Sequence, residues 1–98
     1  MPYIKPEDRE FWDGNVNAVG RDILLIGEDM TPGELNYIIT RLMIAYELAK
    51  GTSYQTYNDL MGVLACAGNE LTEVRISPYE MIKAGENGSL SFNAESFW

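Results

Sequence analysis

The fold is decided by one stretch near the middle of the chain, Thr31–Lys50, which reads TPGELNYIITRLMIAYELAK. It starts with a capping box, in which a threonine hydroxyl and a glutamate three residues later satisfy free amides of the first helical turn, with proline at the first helical position. Apolar residues then recur at spacings of three and four: Leu35, Ile38, Leu42, Ala45 and Ala49. This spacing predicts an amphipathic helix over 32–50, ended by Gly51.

Further apolar residues widen the stripe of this helix. They are Tyr37, Ile39, Met43, Ile44, Tyr46 and Leu48. So wide an arc exceeds what one neighbouring element of a small domain covers, and a chain of this size buries only roughly 60% of its unfolded surface. The sequence therefore predicts a homo-oligomer, in which a second chain covers the remainder.

A second long helix is predicted over 54–76, with Ser53 as its cap. Its apolar positions keep the same period: Tyr57, Leu60, Met61, Leu64, Ala67, Leu71 and Val74. Small residues fall on successive turns of its centre at 62–68, and small side chains let another helix approach closely despite the cost of glycine in a helix. This segment predicts a close helix crossing, for which a crossing between subunits is one option.

The same start signal returns at Ser77–Glu80, which reads SPYE. Pro78 either starts a new helix there or kinks a continuing one, and the sequence leaves both open. Gly85 and Asn87–Gly88 predict the end of the helical region. The tail at 89–98 alternates apolar and polar residues, which suits a short strand or an extended arm.

The amino-terminal segment is less regular. Pro6 can start a short helix, and Asp13–Gly14 predicts a turn after it. Apolar spacing favours a helix over Asn15–Ile26, although the run Ile23–Ile26 would also suit a strand, and Gly27 can end the helix.

Together these signals predict an all-α fold. It is a small helical bundle with two long helices, about 32–50 and 54–76, a shorter amino-terminal helix and an extended carboxy-terminal tail, assembled as a homo-oligomer. We expect a single domain over 1–98, because chains this short seldom form two cores. It comprises an acidic amino-terminal segment (1–30), a helical core (31–85) and an extended aromatic tail (86–98).

Charge and composition exclude several functions. The net charge of −8, from fifteen acidic and seven basic residues, argues against duplex nucleic acid as a partner. Cys66 is the only cysteine and histidine is absent, which removes intrachain disulfides, thiol–histidine metal sites and Ser-His or Cys-His catalytic pairs. No stretch approaches the about 20 apolar residues of a membrane span. We expect a soluble protein of a reducing compartment, with no membrane partner, metal or cofactor.

Arg75, Tyr79 and Lys83 form the first candidate ligand site. They are spaced by four, so a continuous helix would place two cations on either side of an aromatic ring along one face. Arginine and lysine can hold phosphate oxygens while the ring stacks on a base. The alternative is solvated packing, in which Glu80 neutralises Arg75.

The second candidate site is the first turn of the helix after Ser53. Its binding residues would be Tyr54, Gln55, Thr56 and Asn58, whose polar groups lie near free amides that attract anions. The alternative is that they serve only the helix start and its dipole. Separately, Arg41 is either a buried ion-pair partner of Glu47 or Glu70, or a phosphate ligand at a subunit interface; the ion pair is favoured.

Several fragments of the chain in combination carry a family resemblance. They read MPYIKPEDR (1–9), TPGELNY (31–37), SYQTYND (53–59), PYE (78–80) and ENG (86–88). The chain resembles a family of small uncharacterised proteins found in bacteria, archaea and their phages. The resemblance implies the cytoplasm of a bacterial host but no activity or site. Phe11–Asp29 departs from the family pattern, and the tail after Ser89 looks added.

Two functional hypotheses follow, and neither is enzymatic. The first is a small-ligand-binding oligomer, by analogy a phage counter-defence protein that sequesters a nucleotide immune signal. The alternative is an acidic inhibitor or adaptor that binds a basic surface of a host protein, because charge complementarity selects such encounters. Catalysis by carboxylates or tyrosines would need groups that the sequence does not bring together.

Overall fold

The computed structural model describes residues 4–88, and within them the chain is helical with no strand. The all-α prediction is therefore confirmed for this part. The elements in chain order are α1 (Pro6–Ile26), a short 3-10 turn (Gly27–Asp29), α2 (Pro32–Lys50), α3 (Tyr54–Leu71), a π-helical turn (Thr72–Ile76) and α4 (Ser77–Asn87). Contacts along the chain fall into two units, which divide between Tyr57 and Asn58.

The predicted start and end of α2 are confirmed. Thr31 is extended (φ −97°, ψ 154°), its hydroxyl accepts from the Glu34 amide at 3.1 Å, and its own amide donates to the Glu34 carboxylate at 3.1 Å. Such a cap stabilises a helix by roughly 1 kcal/mol. The helix ends at Gly51, whose φ of 92° suits glycine and whose amide donates to the Glu47 carbonyl at 2.7 Å.

The prediction of a shorter amino-terminal helix with a turn at Asp13–Gly14 is wrong. α1 runs without interruption for 21 residues and is longer than α2, which has 19. Gly14 costs up to about 1 kcal/mol inside a helix, but Pro6 and the acidic residues of the first turn favour a start ahead of it. The helix ends where predicted, at Gly27, whose φ is 66°.

Ser53 caps α3 as predicted, because its hydroxyl accepts from the Thr56 amide at 3.1 Å. The predicted second capping box at Ser77 is wrong. Ser77 itself is helical (φ −62°, ψ −44°), and its amide donates to the Thr72 carbonyl in a π-helical bond. Residues 54–87 are therefore helical throughout, and Pro78 lies within this run.

The π turn explains how the helical run passes Pro78. Proline lacks an amide hydrogen, and its ring clashes with the carbonyl four residues earlier in a regular α-helix. The π turn Thr72–Ile76 widens the hydrogen-bond ladder by one residue directly before this point. α4 then continues to Asn87, two residues beyond the predicted end of the core at 85, and Gly88 ends it with a φ of 88°.

Two predictions on the helix surfaces have different outcomes. No apolar side chain is buried within residues 4–88, so this part of one copy does not form the core of the predicted bundle. At Gly62 and Gly68 an added Cβ would meet no atom within 4 Å. The close helix crossing expected at 62–68 stays a prediction, whether within one copy or between copies.

The predicted strand or arm at 89–98 lies outside the described residues. Among residues 4–88, no helix is both long and apolar enough to cross a bilayer.

Candidate functional site

The cations and ring of the first candidate site are distributed over the π turn and α4. Arg75 lies in the π turn, whereas Tyr79 and Lys83 lie one turn apart in α4. The Lys83 ammonium is 5.6 Å from the centre of the Tyr79 ring, within the range of a cation–π contact, and 3.2 Å from the Glu86 carboxylate. The two predicted neighbours Tyr79 and Lys83 are therefore in contact.

Arg75 and Tyr79 share an open concave surface of about 600 Å³. Its remaining lining residues are Val74, Ile76, Pro78, Glu80 and Ile82. Lys83 lines the next concavity along α4, together with Glu80. Within residues 4–88 Arg75 forms no ion pair, so the expected neutralisation by Glu80 is not present there. Arg75 and Lys83 are both solvent-exposed, with Tyr79 between them in sequence.

One of the four residues of the second candidate site, Thr56, is committed to the helix start. Thr56 is only 6% exposed, and its hydroxyl donates to the Gly51 carbonyl at 2.8 Å and accepts from Ser53 at 3.1 Å. Tyr54 is 95% exposed, and Gln55 and Asn58 are exposed as well. Thr56 therefore serves the joint between α2 and α3, which is the structural alternative that the sequence offered.

Arg41 is exposed, so the burial that was expected of it is not found, and its ion pair stays a prediction. Its guanidinium donates to the Tyr37 hydroxyl at 3.1 Å and lies 5.8 Å from the centre of the same ring. One turn of α2 separates the two residues, which is the spacing at which side chains on a helix meet. Arg41 thus forms a second cation–tyrosine pair.

A polar cluster at the α2–α3 joint was missed by the sequence reasoning. The Glu47 carboxylate accepts from the Thr52 hydroxyl at 2.7 Å and from the Tyr57 hydroxyl at 2.9 Å. The hydrogen bond to Glu47 raises the pKa of Tyr57 above its ordinary value, with smaller contributions from desolvation and from the charge of Glu47. A signal was present: Glu47 lies one turn before the end of α2, and Tyr57 lies one turn after Ser53.

The described residues bring no metal-binding set together. Among residues 4–88, no group of three or more acidic or cysteine side chains lies close enough to hold an ion. Adjacent carboxylates such as those of Glu28 and Asp29 therefore have no third acidic or cysteine ligand in this range.

Residues 4–88 therefore form an all-helical part of a small protein, with exposed cation–tyrosine pairs and apolar stripes. A family model described as a domain of unknown function (DUF6899) matches residues 1–90 of the 98, and the chain belongs to that family. The resemblance to an uncharacterised family is thereby confirmed, whereas its bacterial, archaeal or phage origin stays a prediction. Neither a curated protein nor a solved structure matched the chain.

Proposed function

We propose that the chain is a non-enzymatic subunit of a homo-oligomer that binds an anionic, aromatic small molecule of nucleotide type. The observation that carries the proposal is that residues 4–88 bury no apolar side chain. Burying one large aliphatic side chain contributes about 1.5–3 kcal/mol, so residues 4–88 of a single copy, which bury none of them fully, lack their main source of stability. A second copy can supply the missing cover.

The apolar residues of α2 and α3 follow the spacing of helices that pack side by side. In α2 they are Leu35, Ile38, Leu42, Ala45 and Ala49, and in α3 they are Tyr57, Leu60, Leu64, Ala67 and Leu71. Alternating steps of three and four keep apolar residues on a seam that can interlock with another helix. Leu42 is 67% exposed and Leu64 is 41% exposed. Both seams therefore present side chains that a neighbouring copy would bury.

The ligand part of the proposal rests on Arg75, Tyr79 and Lys83. An arginine fork and a lysine ammonium can neutralise phosphate oxygens, and a tyrosine ring offers a stacking surface for a base. The present partner of Lys83 is Glu86, with both side chains about half exposed. Exposed pairs of this kind contribute at most about 1 kcal/mol, so an incoming phosphate can replace Glu86.

The biological role is a narrower hypothesis within this proposal. A nucleotide ligand that serves as an immune signal, sequestered by a phage protein, stays a prediction by analogy. It depends on the identity of the ligand and on the source of the chain.

Assembly is tested with a charge placed on the α2 seam. We expect Leu42→Glu to convert an oligomer into single copies with reduced helix content, measured by light scattering and circular dichroism. The matched control is Thr40→Glu, because Thr40 is exposed and lies on the opposite side of α2 from the seam. A wild-type chain that is helical and single-copy at micromolar concentration would refute the oligomer.

Ligand binding is tested by calorimetry with ATP, cyclic AMP, a cyclic dinucleotide and ADP-ribose. Inorganic phosphate and adenosine serve as the two halves of the ligand. We expect saturable binding that falls at least about tenfold in Arg75→Ala or Lys83→Ala, because charge-assisted bonds contribute about 1.5–3 kcal/mol each. Lys50→Ala is the control, because it removes a similar cation–tyrosine pair elsewhere. The Lys50 ammonium lies 5.9 Å from the centre of the Tyr46 ring. Flat responses to the whole panel would remove the ligand proposal.

A further inference from the structure

Two adjacent aromatic rings on the amino-terminal half of α1 are exposed to solvent. Phe11 is 74% exposed and Trp12 is 53% exposed. Their ring centres lie 4.9 Å apart with the planes at 83°, so the rings meet edge to face and form one patch. Exposed tryptophan and phenylalanine side chains are costly in water and are typical of the central contacts of protein interfaces.

Carboxylates lie on the same side of the helix as these rings. Asp8 precedes Phe11 by three residues and Trp12 by four, and Glu7 precedes Phe11 by four. Side chains at these spacings are neighbours on a helix surface. Both carboxylates are exposed, and within residues 4–88 neither forms an ion pair or hydrogen bond. We name Glu7, Asp8, Phe11 and Trp12 the acidic-aromatic face.

Neither of the neighbouring cations, Lys5 and Arg9, forms an ion pair with this face within residues 4–88. Arg9 points its Nε to the Ile4 carbonyl, to which it donates at 3.0 Å. α1 as a whole carries five acidic and two basic residues, which gives −3. The helix dipole explains acidic residues in the first turn, because the free amides there favour negative charge. It does not explain two large aromatic rings in water beside them.

We propose that the acidic-aromatic face docks a basic amphipathic segment of another protein. A lysine or arginine of that segment would lie between the Asp8 carboxylate and the Trp12 ring, and form an ion pair with the first and a cation–π contact with the second. Apolar residues of the same segment would cover Phe11. Each group of the face then has a partner of complementary chemistry.

The sign of the charge selects this occupant over the others. A second copy of the chain carries a net charge of −8 and presents the same carboxylates, so two acidic-aromatic faces repel each other. Nucleic acids and anionic membrane surfaces have the same unfavourable sign. A basic protein segment is attracted over longer distances, which also raises its rate of association.

The proposal is tested with a defined probe, a fluorescently labelled amphipathic helical peptide of leucine and lysine. Its charge-reversed counterpart, of leucine and glutamate, is the control. We expect saturable binding of the lysine peptide to the full chain by fluorescence anisotropy, and no binding of the glutamate peptide. Raising the salt concentration should weaken the binding, because it screens exposed charges.

Matched variants locate the surface. Asp8→Asn should weaken binding about two- to fivefold, which is the size of an exposed ion pair. Asp13→Asn removes the same charge from the other side of α1 and should leave binding within experimental error. Trp12→Ala should weaken binding by at least about tenfold, as the loss of a central interface aromatic does. Circular dichroism checks that each variant keeps the helix content of the wild type.

Three outcomes would overturn the proposal. The first is equal binding of the leucine–glutamate peptide, and the second is equal loss in Asp8→Asn and Asp13→Asn. The third is a change in oligomeric state on Trp12→Ala by light scattering, because the face would then be covered by a second copy. These outcomes are independent of the nucleotide proposal, since Arg75 and Lys83 remain unchanged in every variant.

Discussion

Two places in the chain carry the same start signal, and only one of them starts a helix. Thr31 and Ser77 are both hydroxyl residues followed by proline and, three residues on, by glutamate. Thr31 is extended and its side chain binds the first turn of α2, whereas Ser77 is helical and its amide is already bonded to Thr72. An identical pattern therefore gives opposite local structures.

The difference lies in the residues that come before the signal. Gly27, four residues before Thr31, has a φ of 66° and ends α1. Gly51, two residues before Ser53, has a φ of 92° and ends α2 in the same way. No glycine lies between Gly68 and Ser77, so nothing ends the preceding helix there. A capping box acts only where the preceding helix has ended and left free amides that it can satisfy.

The largest effect is expected for the glycine that ends α2. Gly51→Ala should reduce the free energy of unfolding by about 1–3 kcal/mol, because φ 92° with ψ 145° is a conformation that only glycine adopts without strain. Gly62→Ala, inside α3 with open space around it, should instead stabilise by up to about 1 kcal/mol. Urea unfolding followed by circular dichroism, at one fixed protein concentration, measures both. Equal effects of the two substitutions would contradict the role of Gly51 in ending the helix.

The next effect compares the two hydroxyls directly. Thr31→Ala should cost about 1 kcal/mol, because it leaves the Glu34 amide without its acceptor. Ser77→Ala should change stability by less than about 0.5 kcal/mol, since Ser77 caps nothing. The same unfolding experiment provides the measurement. If Ser77→Ala costs as much as Thr31→Ala, Ser77 is a cap in solution.

The contrast shows how much of the fold the sequence could give. α2 was predicted to the residue, because its cap and its terminal glycine lie on opposite ends of one apolar stripe. Asp13–Gly14 misled the prediction and Ser77–Glu80 left it open, because a local motif does not reveal whether the flanking helix is strong enough to continue through it.

The candidate sites were less predictable than the helices. The contact of Tyr79 and Lys83 follows from their spacing on one helix, and so does that of Tyr37 and Arg41. The Glu47–Tyr57 hydrogen bond joins residues ten positions apart, across a joint whose geometry depends on Gly51. Periodicity within one helix carries no information on such a pair, so only the structure reveals it.

A smaller effect is expected when a glycine that can end the preceding helix is placed directly before Ser77. Ile76→Gly should cost up to about 1 kcal/mol as a glycine inside a helix. In that background the Ser77 hydroxyl should begin to cap α4, so that Ser77→Ala now costs about 0.5–1 kcal/mol more than in the wild type. A double-mutant cycle by urea unfolding measures the difference. A coupling energy of zero between the two substitutions would show that an upstream glycine alone is not sufficient to make Ser77 a helix cap.

The smallest effect concerns the α2–α3 joint, where Gly51 ends α2. The Tyr57 hydroxyl donates to Glu47, and this bond raises the pKa of Tyr57. A raised pKa means that the contribution of Tyr57 to stability is complete below the ordinary tyrosine pKa and is lost as the pH rises through the raised value. Above it, the tyrosinate has no proton to donate and repels the Glu47 carboxylate.

We therefore expect the wild type to lose more stability than Tyr57→Phe between neutral and strongly alkaline pH. Thermal unfolding across that range measures the two slopes, and tyrosinate absorbance gives the titration itself. Tyr54→Phe is the control, because Tyr54 is 95% exposed and lies in the same first turn of α3. Parallel pH profiles for wild type and Tyr57→Phe would mean that the joint is held by Gly51 and the caps alone, without the Glu47–Tyr57 bond.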